Sequence, residues 1–440
     1  MSNGTLTADA PSTTTQHDTH SEYENEPVPM SRRRSLLSVT SVWAGFPLVI
    51  TSSLSGATIV QGLGFGPGLL AILVGCLLLF GYVGALSILA ARTGSNFSLQ
   101  ASATFGRIGY VISSGLLSTL VLGWFAVQSA LVGSSMAGSF DVNVPMISIL
   151  AGLLFTGLTL LGIRALSIIG MVSGPLFLLF GFIAVIAGTV NGADVFSYQG
   201  GGAATAMTFG AAVTLVFALF ADSGSMTADF TRWAKSPKHA LVATASAFPV
   251  GHFITMLFGA LLAAAAQSAD ASIFSTVVGI GGVFPAIAVV LLVLNLASVC
   301  THCLYNSAVG WAFITRGRMR VLTLVLGLVG TVVAGLGVWA YFVDWLNLLG
   351  IIVPPIGAII ITDQLLMRRR VPTAKRFRWQ PFAAWAIGSG AALLANQTAP
   401  GLSNVVVGLV VAAVAYFAIA RVFRDRDDSA RAADRETVTA

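Results

Sequence analysis

The tetrapeptide Asp222-Ser223-Gly224-Ser225 lies at mid-depth in an apolar run that covers residues 207–230. About 20 apolar residues in a helix cross the hydrocarbon core of a bilayer. A carboxylate, two hydroxyls and a glycine weaken such a helix in its middle. Irregular backbone at that depth is tolerated only where it is buried in protein or lines a cavity. The run over 36–60 has the same kind of interruption: Gly45 and Pro47, followed by Ser52, Ser53, Ser55 and Gly56. Both runs are therefore expected to unwind locally.

Twelve apolar runs of spanning length are read along the chain, numbered here as segments 1 to 12. They lie near 36–60, 67–91, 107–138, 144–162, 165–190, 207–230, 240–265, 283–314, 321–341, 345–366, 382–396 and 402–421. The composition agrees: 56% of the 440 residues are hydrophobic and 9% are charged. A soluble domain carries roughly 25% charged residues, so that class is excluded. The fold class expected is an all-α polytopic membrane protein with twelve transmembrane helices.

Loop charges set the orientation. Arg32, Arg33 and Arg34 precede segment 1, and bases follow every even-numbered segment: Arg92 and Arg107, Arg164, Arg232 with Lys235 and Lys238, Arg316 to Arg320, and Arg368 to Arg378. The loops after odd-numbered segments hold no Lys or Arg, only Asp141, Asp194, Asp270 and Asp344. Cytoplasmic loops carry the excess of Lys and Arg. The expectation is a multi-pass protein of the plasma (inner) membrane with both termini cytoplasmic. The same clustering accounts for the net charge of +6 without nucleic acid as a partner. Residues 1–34 are expected to be a disordered cytoplasmic tail with no signal peptide, and 424–440 a second tail.

Segments 1 and 6 are five apart, an odd number, so they run in opposite senses across the membrane. The two halves, 35–192 and 205–370, then read as inverted copies. That pattern places a solute site near the bilayer midplane, between interrupted helices. Segments 11 and 12, within 371–423, stand outside the repeat. Other prolines in the spans, Pro175, Pro249, Pro285, Pro354 and Pro355, read as ordinary kinks.

Polar residues inside the spans point to the site. Asp222 is the one acidic residue deep in a segment, and a charged side chain there is costly enough that it usually faces a cavity. It is a candidate proton carrier, or a partner for N–H groups of a solute. Asp229 and Asp363 lie at segment ends and are expected to pair with Arg232 and nearby loop bases. Asn295, Ser298, His302 and Asn306 share one face of segment 8 by spacing, and His302 can carry a proton near neutrality. Trp124 and Gln128 share a face of segment 3, an aromatic platform beside an amide. His252 is isolated and reads as structural. Cys76, Cys300 and Cys303 lie in apolar runs and suggest no disulfide framework. Consecutive positions in Cys300-Thr301-His302-Cys303 cannot converge on one ion, so no metal site is expected.

At these residues the chain resembles the nucleobase–cation symporter-1 family, in its cytosine permease branch. The resemblance is carried by Gly123-Trp124-Phe125, by Met226-Thr227-Ala228-Asp229-Phe230-Thr231-Arg232-Trp233, by Asn295 with Leu304-Tyr305, and by Pro354-Pro355-Ile356-Gly357 with Asp363. It implies a five-plus-five inverted repeat of the LeuT type followed by two extra helices. It also implies inward symport of a nucleobase or related heterocycle with H⁺ or Na⁺. The family's stacking aromatics fall on Trp124 and Phe220, and its main-chain contacts near Leu219 and Ser223. Four positions depart from the family pattern: Val121 replaces a glutamine, Cys300 an asparagine, Asp222 a small polar residue and Gln128 a glycine. The cation carbonyls fall on Gly45, Leu48 and Asn295, and the paired hydroxyls on Ser298 and Val299. Val299 has no oxygen to offer, whereas Asp222 and His302 titrate, so H⁺ is expected in preference to Na⁺.

The expectation is a carrier with no cofactor, a heterocyclic solute as its ligand, and no enzymatic activity. An aspartyl intramembrane hydrolase would need a second membrane carboxylate. A serine hydrolase would need an oxyanion-hole motif beside Ser298 and His302. A channel would need a filter motif or acidic rings. A same-fold carrier for an amino acid or a vitamin-precursor heterocycle remains the alternative. The sequence leaves the oligomeric state open.

Overall fold

The computed structural model describes Tyr23 and residues 26–190, 192–268, 270–368 and 375–423. Among them no strand forms; Arg34 and Ala234 make a single isolated bridge. Every apolar run read from the sequence coincides with a helix or an interrupted helix. Segment 2 is Phe65–Thr93, segment 3 Tyr110–Ala137, segment 4 Val144–Leu160 and segment 5 Ile163–Val190. Segment 8 is Phe284–Thr315, segment 9 Met319–Gly335, segment 11 Trp379–Thr398 and segment 12 Asn404–Val422. Seven helices, in segments 2, 3, 5, 7, 8, 10 and 12, are each long and apolar enough to cross a membrane. Among the described residues two further α-helices lie outside the apolar runs, Phe97–Phe105 between segments 2 and 3 and Ile273–Gly279 between segments 7 and 8.

Local chemistry explains the helix ends. Asn143 caps segment 4 by accepting from the Met146 N–H, with Pro145 in the first turn, where its missing donor costs nothing. Thr208 caps segment 6 through the Ala211 N–H. Gly94 ends segment 2 at φ 71°, a left-handed conformation that glycine adopts freely.

Four segments are interrupted. Segment 1 divides into Leu36–Ala44 and Ile50–Leu63. Segment 6 divides into Phe209–Ala218, Ala221–Ser225 and Ala228–Thr231. Segment 7 joins Pro237–Ala245 to Phe253–Ala266 through a π-helical turn over Ser246–His252. Segment 10 joins Phe342–Ile352 to Pro354–Ile361 and ends in a second π turn, Thr362–Leu366.

Helix neighbours follow the inverted repeat. Ile50–Leu63 of segment 1 packs along segment 7, and Phe209–Ala218 of segment 6 packs along segment 2. Segment 3 packs on segment 8, and segment 4 on segment 9. Exchanging each segment with the one five later turns the first pair into the second. It maps the other two pairs onto themselves. Segments 1 and 7 approach backbone to backbone: a Cβ on Gly56 would collide with the Met256 main chain, and one on Gly259 with the Ser53 carbonyl.

The two C-terminal segments are fastened to the repeat by a buried cluster. Arg378, just before segment 11, pairs with Asp363 of segment 10 at 3.2 Å; the two are 4% and 1% exposed. The Tyr416 hydroxyl of segment 12 donates to Asp363 at 2.7 Å and accepts from Arg378 at 2.9 Å. Asp363 thus finds a loop base, as expected. Asp229 accepts from the Phe97 N–H at 2.9 Å, at the start of the helix Phe97–Phe105, with Arg232 nearby.

Of the tail expected over 1–34, residues 1–22, 24 and 25 lie outside the described residues, as does the tail expected over 424–440. Just before segment 1, two residues of an otherwise exposed stretch anchor it. Val28 is 1% exposed, and the Arg33 guanidinium donates to the carbonyls of Val28, Ala91 and Ala234. Backbone carbonyls at the end of segment 2 and just after segment 6 thus give that arginine partners.

Candidate substrate and cation site

The break in segment 1 is bridged from segment 8. Asn295 accepts from the Ile50 N–H at 3.0 Å and donates to the Leu48 carbonyl at 2.9 Å. Its amide also reaches the Ser173 hydroxyl of segment 5 at 3.3 Å. A buried amide or carbonyl without a partner is costly, so this one side chain satisfies backbone that the missing helical turn leaves open. The Gly45 carbonyl accepts from the Leu48 N–H at 3.3 Å. Gly45, Leu48 and Asn295 are thus brought together. Ser298 and His302 continue the same face of segment 8 towards Gly170 of segment 5. His302 donates from Nδ1 to the Ser298 carbonyl at 2.6 Å, which leaves Nε2 open.

The break in segment 6 falls at Leu219 and Phe220, and Phe220 adopts φ −133° and ψ 22°. Asp222 follows at the start of the short helix and is fully buried. One of its carboxyl oxygens, Oδ1, accepts from the Ser223 N–H at 2.7 Å, while Oδ2 is buried with no hydrogen-bond partner. The Trp124 indole of segment 3 faces this carboxyl group. The Leu219 N–H continues the preceding helix, donating to Leu215 at 3.3 Å.

Gln128, one turn beyond Trp124, has a defined polarity. The Thr51 hydroxyl of segment 1 donates to its Oε1 at 2.8 Å. Asp222 thus presents an unpartnered acceptor on segment 6, and Gln128 stands one turn beyond Trp124 on segment 3. Trp124 and Phe220 are each 6% exposed. They do not touch one another among the described ring contacts. Trp124 meets Phe342 of segment 10 edge-on at 6.1 Å, and Phe220 packs with Phe46, Phe248 and His252.

Cys300 lies in the interface of segments 3 and 8. Its thiol points at the Phe125 carbonyl at 3.8 Å and lies 3.9 Å from the Ser129 hydroxyl. Cys303, one turn on, is the cysteine within electrostatic reach of Asp222. Tyr82 of segment 2 holds the far side of the short helix, its hydroxyl 2.5 Å from that of Ser225. Thr51, Tyr82 and Cys303 are site neighbours that sequence reasoning did not single out. Thr51 alone left a signal, since it opens the hydroxyl-rich stretch after the first break.

Two interrupted helices, related by an inverted repeat and flanked by buried polar groups, define a membrane transporter and not an enzyme. A family model for permeases for cytosine/purines, uracil, thiamine and allantoin matches residues 27–419, and the chain belongs to that family. It is 32% identical over 387 residues to the cytosine permease of Escherichia coli strain K12, across 86% of this chain and 90% of that protein. The cytosine permease of E. coli O157:H7 gives the same identity and coverage. Among solved structures it is similar to Mhp1, a nucleobase-cation-symport-1 family transporter, in a closed conformation with bromovinylhydantoin bound. The TM-score is 0.71 at 19% identity, over 91% of this chain and 96% of that one. A Na⁺-coupled sialic acid symporter in an outward-open state shares the fold at a TM-score of 0.63 and 12% identity, over 91% of this chain and 92% of that one.

Proposed function

We propose that the protein imports a nucleobase or a related small heterocycle by alternating access, driven by H⁺ in preference to Na⁺. The basic ends of the segments are then cytoplasmic, in the plasma (inner) membrane. The observation that supports the reading is the fully buried Asp222, whose Oδ2 has no hydrogen-bond partner and whose carboxyl group faces the Trp124 indole. A planar heterocycle offers both a π face for the ring and an edge of N–H and C=O groups for the polar atoms. Phe220 supplies the second aromatic surface, and the main chain near Leu219 and Ser223 flanks its edge. An enclosed site that hydrogen-bonds its ligand rejects analogues lacking those groups, because its own polar atoms would be stranded.

Proton coupling is supported by the chemistry of the two ion candidates. The Leu48 carbonyl and the Asn295 amide already bond to one another at 2.9 Å, and Val299 adds no oxygen. Asp222 offers a titratable oxygen beside the solute instead. Ligand and proton drive the cycle only through their differential affinity for the outward and inward states.

The test is uptake into proteoliposomes of labelled cytosine, adenine, uracil and hydantoin, with unlabelled amino acids as competitors. Saturable accumulation driven by an inward proton gradient, displaced by free bases and not by amino acids, is expected. Uptake that requires Na⁺ and ignores a proton uncoupler overturns the coupling. Competition by amino acids alone overturns the substrate class.

A further inference from the structure

The first break is capped by a side chain from another segment. The second break is capped in the same way, by a residue the transport reading does not use. In an uninterrupted helix the Phe220 N–H would donate to the Val216 carbonyl. Here it donates to Phe217 at 3.2 Å, because Phe220 has left helical geometry. The Val216 carbonyl is instead met by Nε2 of His252, from segment 7, at 3.2 Å. A carbonyl can only accept, so the proton sits on Nε2. The other ring nitrogen, Nδ1, is buried with no partner, and the whole residue is fully buried.

The same imidazole touches the candidate substrate aromatic. Its ring lies 4.8 Å from that of Phe220 at an interplanar angle of 86°. Phe248, four residues earlier, meets Phe220 edge-on at 5.6 Å. Both belong to the π-helical turn over Ser246–His252, which also holds Pro249. Single π turns inside α-helices often occur at functional sites. This one also seats Gly251 against the first break, where a Cβ would lie 3.1 Å from Pro47 Cγ and 3.3 Å from the Ala44 carbonyl. One turn of segment 7 therefore contacts both interruptions.

We infer that His252 is a positioning residue of the transport site: it caps the broken end of segment 6 in trans and fixes the ring of Phe220. The inference rests on Phe220 being a wall of the solute site, as proposed above. The cap needs a donor at the Nε2 position. An amide side chain can supply one, and an aromatic ring without N–H cannot.

The experiment uses the full-length protein, in nanodiscs for exchange and binding and in proteoliposomes for uptake, with His252→Phe and His252→Gln. Amide hydrogen exchange across residues 216–224 reads how firmly the capped end of the helix is held. Binding and uptake of cytosine, adenine, uracil and hydantoin read its consequence. For His252→Phe, exchange is expected to rise at least tenfold and KM about tenfold, with Vmax and the yield of folded protein retained. His252→Gln is expected to stay within threefold of the native protein on both measures. Native exchange in His252→Phe, or His252→Gln impaired as badly as His252→Phe, overturns the inference and leaves a packing role. Should His252→Phe fail to accumulate, His252→Met fills a similar volume without a donor and takes its place. A native protein that binds none of the four probes refutes the proposed function, while the exchange data still decide the cap.

Discussion

The amide of Asn295 grips the Leu48 carbonyl at 2.9 Å across 247 residues of chain, and the same side chain accepts from Ile50 on the far side of the break. Removing it strands two buried backbone groups. Each costs about 1–3 kcal/mol when left unsatisfied. Asn295→Ala is expected to lower the thermal midpoint of the purified protein and abolish uptake. Asn295→Asp keeps the acceptor for Ile50 and loses the donor to Leu48, so its midpoint should fall between the two. Equal midpoints for Asn295→Ala and the native protein would show that the break holds itself open.

Trp124→Ala removes the aromatic platform that faces Asp222. Aromatic contacts are worth about 0.5–1.5 kcal/mol beyond their area, which is up to roughly tenfold in affinity. Affinity for the transported heterocycle should fall by at least that factor, with the folded yield unchanged. Native-like binding in this variant removes Trp124 from the site.

Asp222→Asn separates carriage from coupling. The amide retains the shape and an oxygen, but it cannot take up a proton. Accumulation driven by a pH gradient should be lost, while exchange of labelled for unlabelled solute across the membrane continues. Undiminished accumulation would relieve Asp222 of the coupling role and turn attention to His302, whose Nε2 is open.

The staple between segments 10, 11 and 12 predicts an asymmetric mutant series. Asp363→Ala leaves the Arg378 guanidinium, 4% exposed, without its carboxylate. Breaking a buried ion pair from one side costs about 3–5 kcal/mol. Tyr416→Phe deletes one hydroxyl and should cost about 1.5–3 kcal/mol by the usual worth of a hydrogen bond to charge. Measured unfolding midpoints should rank Asp363→Ala well below Tyr416→Phe, and the reverse order would contradict the pairing.

Much of this was legible in the sequence because hydrophobicity and interruption are local signals. The twelve apolar runs, the two breaks, Asp222 and Trp124 as separate candidates, and the loop base for Asp363 could all be read one segment at a time. The closures of the breaks could not. Asn295 with Ile50, and His252 with Val216, join residues 245 and 36 positions apart, and no periodicity encodes such a pair. The π turn in segment 7 was hidden for a related reason: a single extra residue in a turn leaves the apolar pattern intact. Cys300 was named through the family resemblance alone, which could not say which neighbour its thiol would meet. In the structure that thiol points at the Phe125 carbonyl of segment 3.

Gly56 and Gly259 let segments 1 and 7 meet without intervening side chains. Joined main chain to main chain at these two points, the far half of segment 1 and segment 7 are expected to tilt as a single lever, an expectation that rests on two missing methyl groups.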